Sequence, residues 1–200
     1  MTQLPELPLT LSRQEIRKMI RQRRRALTPE QQQEMGQQAA TRMMTYPPVV
    51  MAHTVAVSLS FDGELDTQPL IEQLWRAGKR VYLPVLHPFS AGNLLFLNYH
   101  PQSELVMNRL KIHEPKLDVR DVLPLSRLDV LITPLVAFDE YGQRLGMGGG
   151  FYDRTLQNWQ HYKMQPVGYA HDCQLVEKLP VEEWDIPLPA VVTPSKVWEW

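Results

Sequence analysis

The first regular pattern in the chain is helical, because apolar side chains recur at intervals of three or four residues after Ser12. Two stripes result, an apolar one and a basic one beside it. The apolar stripe consists of Ile16, Met19, Ile20 and Leu27, and the basic stripe consists of Arg13, Arg17, Arg21 and Arg24. Ser12 and Glu15 have the spacing of a capping box, in which each side chain accepts a hydrogen bond from the other residue's backbone N–H. The pattern predicts a helix over residues 13–25 with one basic face.

A second helix start follows at Thr28, which precedes a proline and has Gln31 three residues later. This helix is predicted to end near Met44. The N-terminal residues contain Pro5 and Pro8 and show no periodic pattern. We therefore expect residues 1–11 to form a loose lead-in.

Beyond residue 50 the pattern changes to short apolar runs that alternate with helical segments. We predict strands at 54–60, 79–85, 94–99, 128–137 and 167–169, and helices at 69–77 and 151–160. Such alternation is typical of a doubly wound α/β fold, with a mostly parallel sheet and helices on both faces. The run from Val130 to Ala137 is apolar on both faces, as in a central strand, although Pro134 requires a bulge or the end of the strand.

Composition narrows the class of protein. The chain has 200 residues, of which 44% are hydrophobic, and this length fits a single domain over residues 1–200. The formal net charge of −1 excludes an overall field that would attract nucleic acid or acidic lipid. The lone Cys173 excludes an internal disulfide and a thiolate metal cluster. No signal-peptide pattern and no apolar run of ~20 residues is present, so we expect a cytoplasmic monomer that binds neither membrane nor nucleic acid.

The strongest candidate for a binding site is the segment Arg144-Leu-Gly-Met-Gly-Gly-Gly-Phe-Tyr-Asp-Arg154. Its glycines can adopt positive φ and direct successive backbone N–H groups at one anion, and the predicted helix after them would add its N-terminal dipole. The dinucleotide-binding pattern does not match, because Phe151 stands at its third glycine, and the Walker lysine is missing. A tight turn without a ligand is the alternative. Arg144, Asp153 and Arg154 favour instead a nucleotide phosphate with a divalent ion.

This segment resembles the signature of the 5-formyltetrahydrofolate cyclo-ligase family, whose members are also called 5,10-methenyltetrahydrofolate synthetases. Other segments are similar to that family in the same order: residues 13–25, 58–67, 112–115, 134–146, 167–170 and 184–187. The resemblance implies an α/β enzyme that converts 5-formyltetrahydrofolate to 5,10-methenyltetrahydrofolate. It further implies that ATP is the co-substrate, that ADP and phosphate are released, and that Mg²⁺ is the cofactor.

The basic helix has more than one interpretation. Arg13 and Arg17 lie one turn apart and could both contact one polyphosphate, but a solvated basic face or a nucleic-acid patch would show the same pattern. The resemblance assigns this helix to ATP, with Arg13 at a position where many members have lysine. It assigns catalysis to Arg17, Arg144 and Asp153. It assigns ATP binding to Arg13, Arg17, Arg144, Leu145, Gly146, Met147, Gly148, Gly149, Gly150, Phe151 and Tyr152.

Glu64 follows the first predicted strand, where its position alone indicates an exposed loop carboxylate. The family assigns the matching glutamate to the folate, because a carboxylate can accept hydrogen bonds from pterin N–H groups. By resemblance the substrate-binding residues are Leu59, Phe61, Glu64, Met147, Gly148, Gly149, Gly150 and Phe151. Asp153 and Asp185 are the candidate Mg²⁺ ligands, since this ion usually takes one or two carboxylates besides water and phosphate oxygens. Trp184 replaces the family's usual histidine before Asp185.

Two other functions fit parts of the pattern. A non-catalytic nucleotide- or RNA-binding module would use the same arginines and loop, but the chain has no aromatic ladder beside them. A small-molecule kinase of the same fold would use the same phosphate site. The triplet His171-Asp172-Cys173 resembles a nucleophilic set, but we expect it to be accidental, because adjacent residues on a strand point to opposite faces.

Overall fold

The computed structural model describes residues 11–200, so the predicted lead-in lies almost wholly outside the described residues. Its α-helices are α1 (Arg13–Arg25), α2 (Pro29–Thr45), α3 (Pro47–Met51), α4 (Gln68–Arg76) and α5 (Phe151–Leu156). The helix predicted over residues 13–25 is confirmed, as are the capping boxes of Ser12 with Glu15 and of Thr28 with Gln31. Each capping box satisfies two N–H groups that the first helical turn leaves without partners.

The strands are short and mostly buried. They are β1 (Thr54–Ala56), β2 (Arg80–Leu86), β3 (Leu94–Tyr99), β4 (Leu105–Met107), β5 (His113–Pro115), β6 (Val130–Thr133), β7 (Ala137–Asp139), β8 (Arg144–Leu145), β9 (Gln165–Tyr169), β10 (Leu175–Val176), β11 (Ala190–Val192) and β12 (Val197–Glu199). Seven of them form the central sheet, in the order β12-β11-β9-β6-β1-β2-β3. The five inner strands are parallel, and β3 and β12 are antiparallel edges. A smaller sheet has the order β10-β7-β8, and β4 pairs with β5 in a hairpin.

Apolar side chains cover both faces of the central sheet. Val55 and Ile132 face a core that includes residues of α2, α3 and α4, whereas Leu131 faces the opposite core with Leu156 of α5. The helix α1 packs through Ile20 against the small sheet. Each fully buried side chain of this size contributes about 1.5–3 kcal/mol relative to an exposed one. The predicted α/β fold, with a mostly parallel sheet and helices on both faces, is confirmed, while the extent of the domain over residues 1–200 stays a prediction.

Three predicted elements have the wrong boundaries. The strand predicted at 128–137 is two strands in different sheets, β6 and β7, because Pro134 has no N–H to donate and β6 ends before it. The strand predicted at 54–60 ends at Ala56, although the Val57 N–H still donates to the Tyr82 oxygen at 2.9 Å. The helix predicted at 151–160 ends at Leu156, where the Gln157 N–H bonds only three residues back, to Arg154.

Candidate functional site

A cavity of about 510 Å³ opens at the carboxyl ends of β1, β2 and β6. Ligands of open α/β sheets bind at this end of the strands. The helix α1 forms one wall, the glycine segment after β8 forms a second, and the turn between β4 and β5 forms a third. Arg17, Gly148 and Ile112 lie on these three walls respectively. The sheet thus brings together segments that are far apart in the chain.

The glycine segment has the conformation that its composition predicts at two positions. Gly148 has φ 108° and Gly150 has φ 68°, which are values that residues with a Cβ rarely adopt. Arg154 holds this turn from outside, since its guanidinium donates to the oxygens of Gly149 and Gly92. The helix after the turn, α5, has only six residues, so its dipole adds less than the sequence led us to expect.

Arg17 connects α1 to the glycine segment. Its Nε donates to the Gly146 oxygen at 2.7 Å, and the side chain lines the cavity. Among the described residues, no other hydrogen bond from this guanidinium is present. Burial lowers the pKa of Arg17, and the neighbouring charges of Arg13 and Arg21 lower it further. A largely buried cation of this kind, with Nη groups that have no acceptor among residues 11–200, is suited to bind an anion.

Arg13 and Asp185 form an ion pair at the rim of the cavity. Two of its hydrogen bonds join the guanidinium to the carboxylate, at 2.6 and 3.0 Å. The Asp185 carboxylate also accepts from the Glu182 N–H at 2.8 Å. Burial opposes ionisation of Asp185, but the bonds from Arg13 and Glu182 outweigh it and lower the pKa of Asp185. Both predicted residues are therefore bound to each other in this structure.

Arg144 and Asp153 form a second ion pair, deeper in the protein. Arg144 is 4% exposed, and its Nη2 lies 2.5 Å from the Asp153 Oδ1. The same Oδ1 accepts a weak bond from the Ile186 N–H, at 3.4 Å, whereas no described residue donates to Oδ2. Burial lowers the pKa of Arg144, opposed by the negative charge of Asp153. The pair holds one carboxylate oxygen of Asp153, a residue that lines the cavity.

Glu64 lines the cavity together with Leu59 and Phe61. Its Oε2 accepts from the Phe61 N–H at 3.3 Å. Burial raises the pKa of Glu64 to about 7, although the positive charge of Arg24 opposes the shift. The interpretation of Glu64 as an exposed loop carboxylate is therefore wrong, because the group is half-buried and faces the cavity.

This shift predicts how stability depends on pH. The pKa of Glu64 is about 7 in the folded protein, whereas its ordinary value, 4.5, applies to the unfolded chain. The folded state thus binds more protons between these values, and stability falls as the pH rises through them. We expect the parent to lose stability relative to Glu64→Gln from about pH 4.5 to about pH 7. Urea unfolding of both proteins at several pH values measures the difference, and a constant difference would contradict the shift.

Most of the predicted site residues line the one cavity. They are Arg13, Arg17, Leu59, Phe61, Glu64, Arg144, Gly146, Met147, Gly148, Gly149, Gly150, Phe151, Tyr152 and Asp153. Two do not. Leu145 is 1% exposed and packs in the hydrophobic core with Ile16 and Ile20, because the alternation of β8 turns it inward. Asp185 lies behind Arg13 and Trp184, which are the groups that reach the cavity.

Sequence reasoning assigned no role to the wall that the β4–β5 hairpin forms. Leu110, Ile112 and Glu114 line the cavity there. The Glu114 carboxylate accepts hydrogen bonds from the Leu86 N–H and the Asn108 side-chain amide. The only signal was the similarity of residues 112–115 to the family. Sequence reasoning also assigned no role to Ser58, which lies beside Tyr152. Burial raises the pKa of Tyr152, and the hydrogen bond with the Ser58 side chain partly opposes this shift.

The triplet His171-Asp172-Cys173 is not a nucleophilic relay. It opens a short 3₁₀ turn, not a strand, and Asp172 accepts a hydrogen bond from Ser195 at 2.6 Å. The imidazole of His171 is buried, and neither ring nitrogen has a partner among the described residues. Burial lowers the pKa of His171 to about 4. The prediction that this triplet is accidental is consistent with these contacts, although the reason given for it, a strand, is wrong.

Comparison with known proteins decides the family. The model of the 5-formyltetrahydrofolate cyclo-ligase family matches residues 10–194. The chain belongs to this family. It is 99% identical over 182 residues to the 5-formyltetrahydrofolate cyclo-ligase of Escherichia coli strain K12, an alignment that covers 91% of this chain and 100% of the relative. It is 53% identical over 179 residues to that of Haemophilus influenzae, covering 90% and 96% of the two chains.

Solved structures of cyclo-ligases agree with this fold. The 5,10-methenyltetrahydrofolate synthetase of Aquifex aeolicus superposes with a TM-score of 0.80 at 28% identity, over 94% of this chain and 92% of that one. The synthetase of Mycoplasma pneumoniae has a TM-score of 0.72 over 92% and 99% of the chains, and at 22% identity it supports the fold alone. The family resemblance that the motifs indicated is confirmed.

Two features are absent from the part of this cyclo-ligase family member that the structure describes. No helix in residues 11–200 has the length and apolar character needed to cross a membrane. No group of three or more histidine, cysteine, aspartate or glutamate side chains in the same range could hold a metal ion.

Proposed function

We propose that this member of the cyclo-ligase family converts 5-formyltetrahydrofolate to 5,10-methenyltetrahydrofolate, with ATP as co-substrate and Mg²⁺ as cofactor. One observation supports the proposal most directly. A single cavity contains an anion-binding region, made of Arg17 and the glycine turn, and on another wall a half-buried Glu64 beside the apolar Phe61. A phosphate donor and a pterin can therefore meet in one enclosed volume. The names of the relatives support the same activity.

The reaction explains why a phosphate site is needed. A formamide carbon is a poor electrophile, and its oxygen is a poor leaving group. In the proposed path the formyl oxygen attacks the γ-phosphorus of ATP, and ADP leaves. N10 of the folate then attacks the formyl carbon, loses its proton, and inorganic phosphate departs with the former formyl oxygen. The protein supplies mainly position and charge, so no side-chain nucleophile is required.

Each end of the cavity has its own task in this proposal. Arg17 and the N–H groups of the glycine turn bind the phosphates, and Arg144 adds positive charge behind them. Arg13 reaches the same wall from one turn earlier on α1. Glu64 accepts hydrogen bonds from the pterin, and Phe61 offers the ring an apolar surface.

Asp153 fits a magnesium ligand better than Asp185 does. Its Oδ1 is fixed by Arg144, while no described residue donates to its Oδ2, which adjoins the cavity. When bound there, Mg²⁺ would neutralise negative charge on the phosphate oxygens of ATP. Both oxygens of Asp185 accept from Arg13. Asp185 would therefore coordinate the metal only if Arg13 released this carboxylate and bound phosphate instead.

The two alternatives differ from the proposal in measurable ways. An RNA-binding module would need a free basic stripe, but Arg24 is buried and Arg25 is bound to Asp62. A small-molecule kinase would leave a phosphorylated product. A cyclo-ligase instead releases inorganic phosphate and forms a conjugated ring that absorbs ultraviolet light.

Incubation with ATP, Mg²⁺ and 5-formyltetrahydrofolate tests the proposal directly. We expect the absorbance of the methenyl ring and free phosphate to appear in equal amounts, with neither formed when the folate is omitted. ATP consumption without ring closure, or phosphate retained on an organic product, would contradict the ligase and favour the kinase.

Arg17→Ala is expected to weaken ATP binding by about 1.5–3 kcal/mol, the contribution of a hydrogen bond to a charged group. The reason is that Arg17 faces the cavity with Nη groups that no described residue engages. Titration calorimetry with ATP measures the change. Arg23→Ala, on the same helix but outside the cavity wall, serves as the control and should bind ATP as the parent does. Equal affinities in all three proteins would refute the role of α1 in binding phosphate.

A further inference from the structure

The loop that precedes Glu64 is fastened to the C-terminal half of α1 by a single carboxylate. Asp62 accepts from the Arg25 Nε at 2.8 Å and from its Nη2 at 2.6 Å. Two further guanidinium groups approach the same carboxylate, Arg24 at 3.8 Å and Arg21 at 3.9 Å. Three arginines of one helix therefore surround Asp62. Arg24 is only 2% exposed, so its guanidinium is buried beside this carboxylate.

Backbone contacts complete this attachment. The Gln32 side-chain amide donates to both the Arg24 oxygen and the Gly63 oxygen, at 3.2 Å each, and so joins the end of α1 to the loop. A Cβ on Gly63 would come within 3.4 Å of Arg24, so the two segments are in close contact. Asp62 and Gly63 also have φ of 51° and 74°. Positive φ is uncommon for a residue other than glycine, although aspartate tolerates it, whereas Gly63 adopts it freely.

Glu64 is the next residue after this turn. Its carboxylate accepts from the Phe61 N–H at 3.3 Å, and its own N–H donates to the Phe61 oxygen at 3.1 Å. The residues from Phe61 to Glu64 thus form one closed unit, and Asp62 is the side chain through which that unit is bonded to α1. A movement of Asp62 would move the Glu64 carboxylate with it.

The helix α1 also bears Arg17 on the phosphate-binding wall. Arg17 and Arg24 are seven residues apart, which corresponds to about 10 Å along an α-helix. One continuous helix therefore supports the phosphate arm at one end and the Glu64 loop at the other. Its position is set independently by packing of Ile16 and Ile20 against the small sheet.

We propose that Asp62 is a positioning residue for the folate, because its ion pairs with the arginines of α1 fix the loop that presents Glu64 to the cavity. The proposal rests on the proposed function, since it assumes that Glu64 binds the pterin. Asp62 itself contacts no substrate in this scheme. Its loss should weaken folate binding without changing the phosphate site.

Asp62→Asn tests this without disturbing the backbone, because asparagine also tolerates the left-handed conformation and has the same size. We expect the KM for 5-formyltetrahydrofolate to rise about tenfold, the scale of one hydrogen bond to a charged group. The KM for ATP should change by less than about twofold, and kcat should fall little at saturating folate. A merely structural residue would lower the amount of active protein and leave both KM values as in the parent.

Asp118→Asn is the matched control. Asp118 also accepts from the Nε and Nη2 of one arginine, with the Arg120 Nη2 at 2.6 Å, has a similar exposure of its carboxylate, and does not line the cavity. It should leave both KM values unchanged. A double-mutant cycle with Arg25→Ala adds a second measurement: the effects of Asp62→Asn and Arg25→Ala on the folate KM should be strongly non-additive.

The outcomes separate the two proposals. If the parent fails to form methenyltetrahydrofolate, the proposed function is wrong. If the parent is active and Asp62→Asn has the parent's folate KM, or if both KM values rise together, Asp62 is not a positioning residue for the folate. Direct titration of 5-formyltetrahydrofolate into Asp62→Asn must show the same weakening as the KM, and unchanged affinity would also overturn the inference.

Discussion

Asp153→Asn is expected to abolish turnover while the protein remains folded. The substitution keeps the size of the side chain but removes the negative charge that a divalent ion requires. It also weakens the pair with the buried Arg144, which lies 2.5 Å from Asp153. We therefore expect a loss of stability of about 1.5–3 kcal/mol, the contribution of a hydrogen bond to a charged group. Activity at varied Mg²⁺ and thermal unfolding of the same samples measure the two effects.

Asp129→Asn controls for destabilisation alone. Asp129 is also partly buried, pairs with Lys163 at 2.7 Å and accepts backbone bonds from His53 and Thr54, but it lies at the opposite end of β1 from the cavity. This variant should lose stability and keep the parent's turnover per folded molecule. If Asp153→Asn remains active at limiting Mg²⁺, Asp153 is a partner of Arg144 and not a metal ligand.

Glu64→Gln should reduce the affinity for 5-formyltetrahydrofolate by about 2 kcal/mol or more, whereas the affinity for ATP should hold. Glutamine replaces one acceptor oxygen with a donor that would face the N–H groups of the pterin. A buried donor without a partner adds its desolvation cost to the bond that is lost. Since burial raises the pKa of Glu64 to about 7, calorimetry at pH 8 compares glutamine with the ionised carboxylate.

The pH dependence of this difference is a further check. Near pH 6 the parent carboxyl is mostly protonated, so the affinities of parent and variant should approach each other. Glu72→Gln, on the exposed surface of α4, provides a control in which neither affinity changes. If Glu64→Gln binds the folate as the parent does, or loses ATP and folate equally, the assignment of Glu64 to the substrate is wrong.

Local features of this protein were readable in the amino-acid order. The helix α1 begins and ends at the predicted residues because its capping box and apolar stripe depend on neighbours within four positions. The positive φ of Gly148 and Gly150 follows from the absence of a Cβ, which is a property of the residue itself. The sequence also indicated the family, because segments similar to the family's motifs occur along this chain in the same order.

Only the tertiary structure determined which charged side chains form ion pairs. Arg13 and Asp185 are 172 positions apart, and no periodicity along the chain predicts that their side chains form an ion pair. The sequence position of Glu64 likewise indicated an exposed carboxylate. The burial of Glu64 depends on distant segments, α1 and the glycine turn, which form the same cavity. The division of residues 128–137 between two sheets has the same origin. Contacts between distant segments are set by topology and packing, whereas local patterns report only on conformations within a few residues.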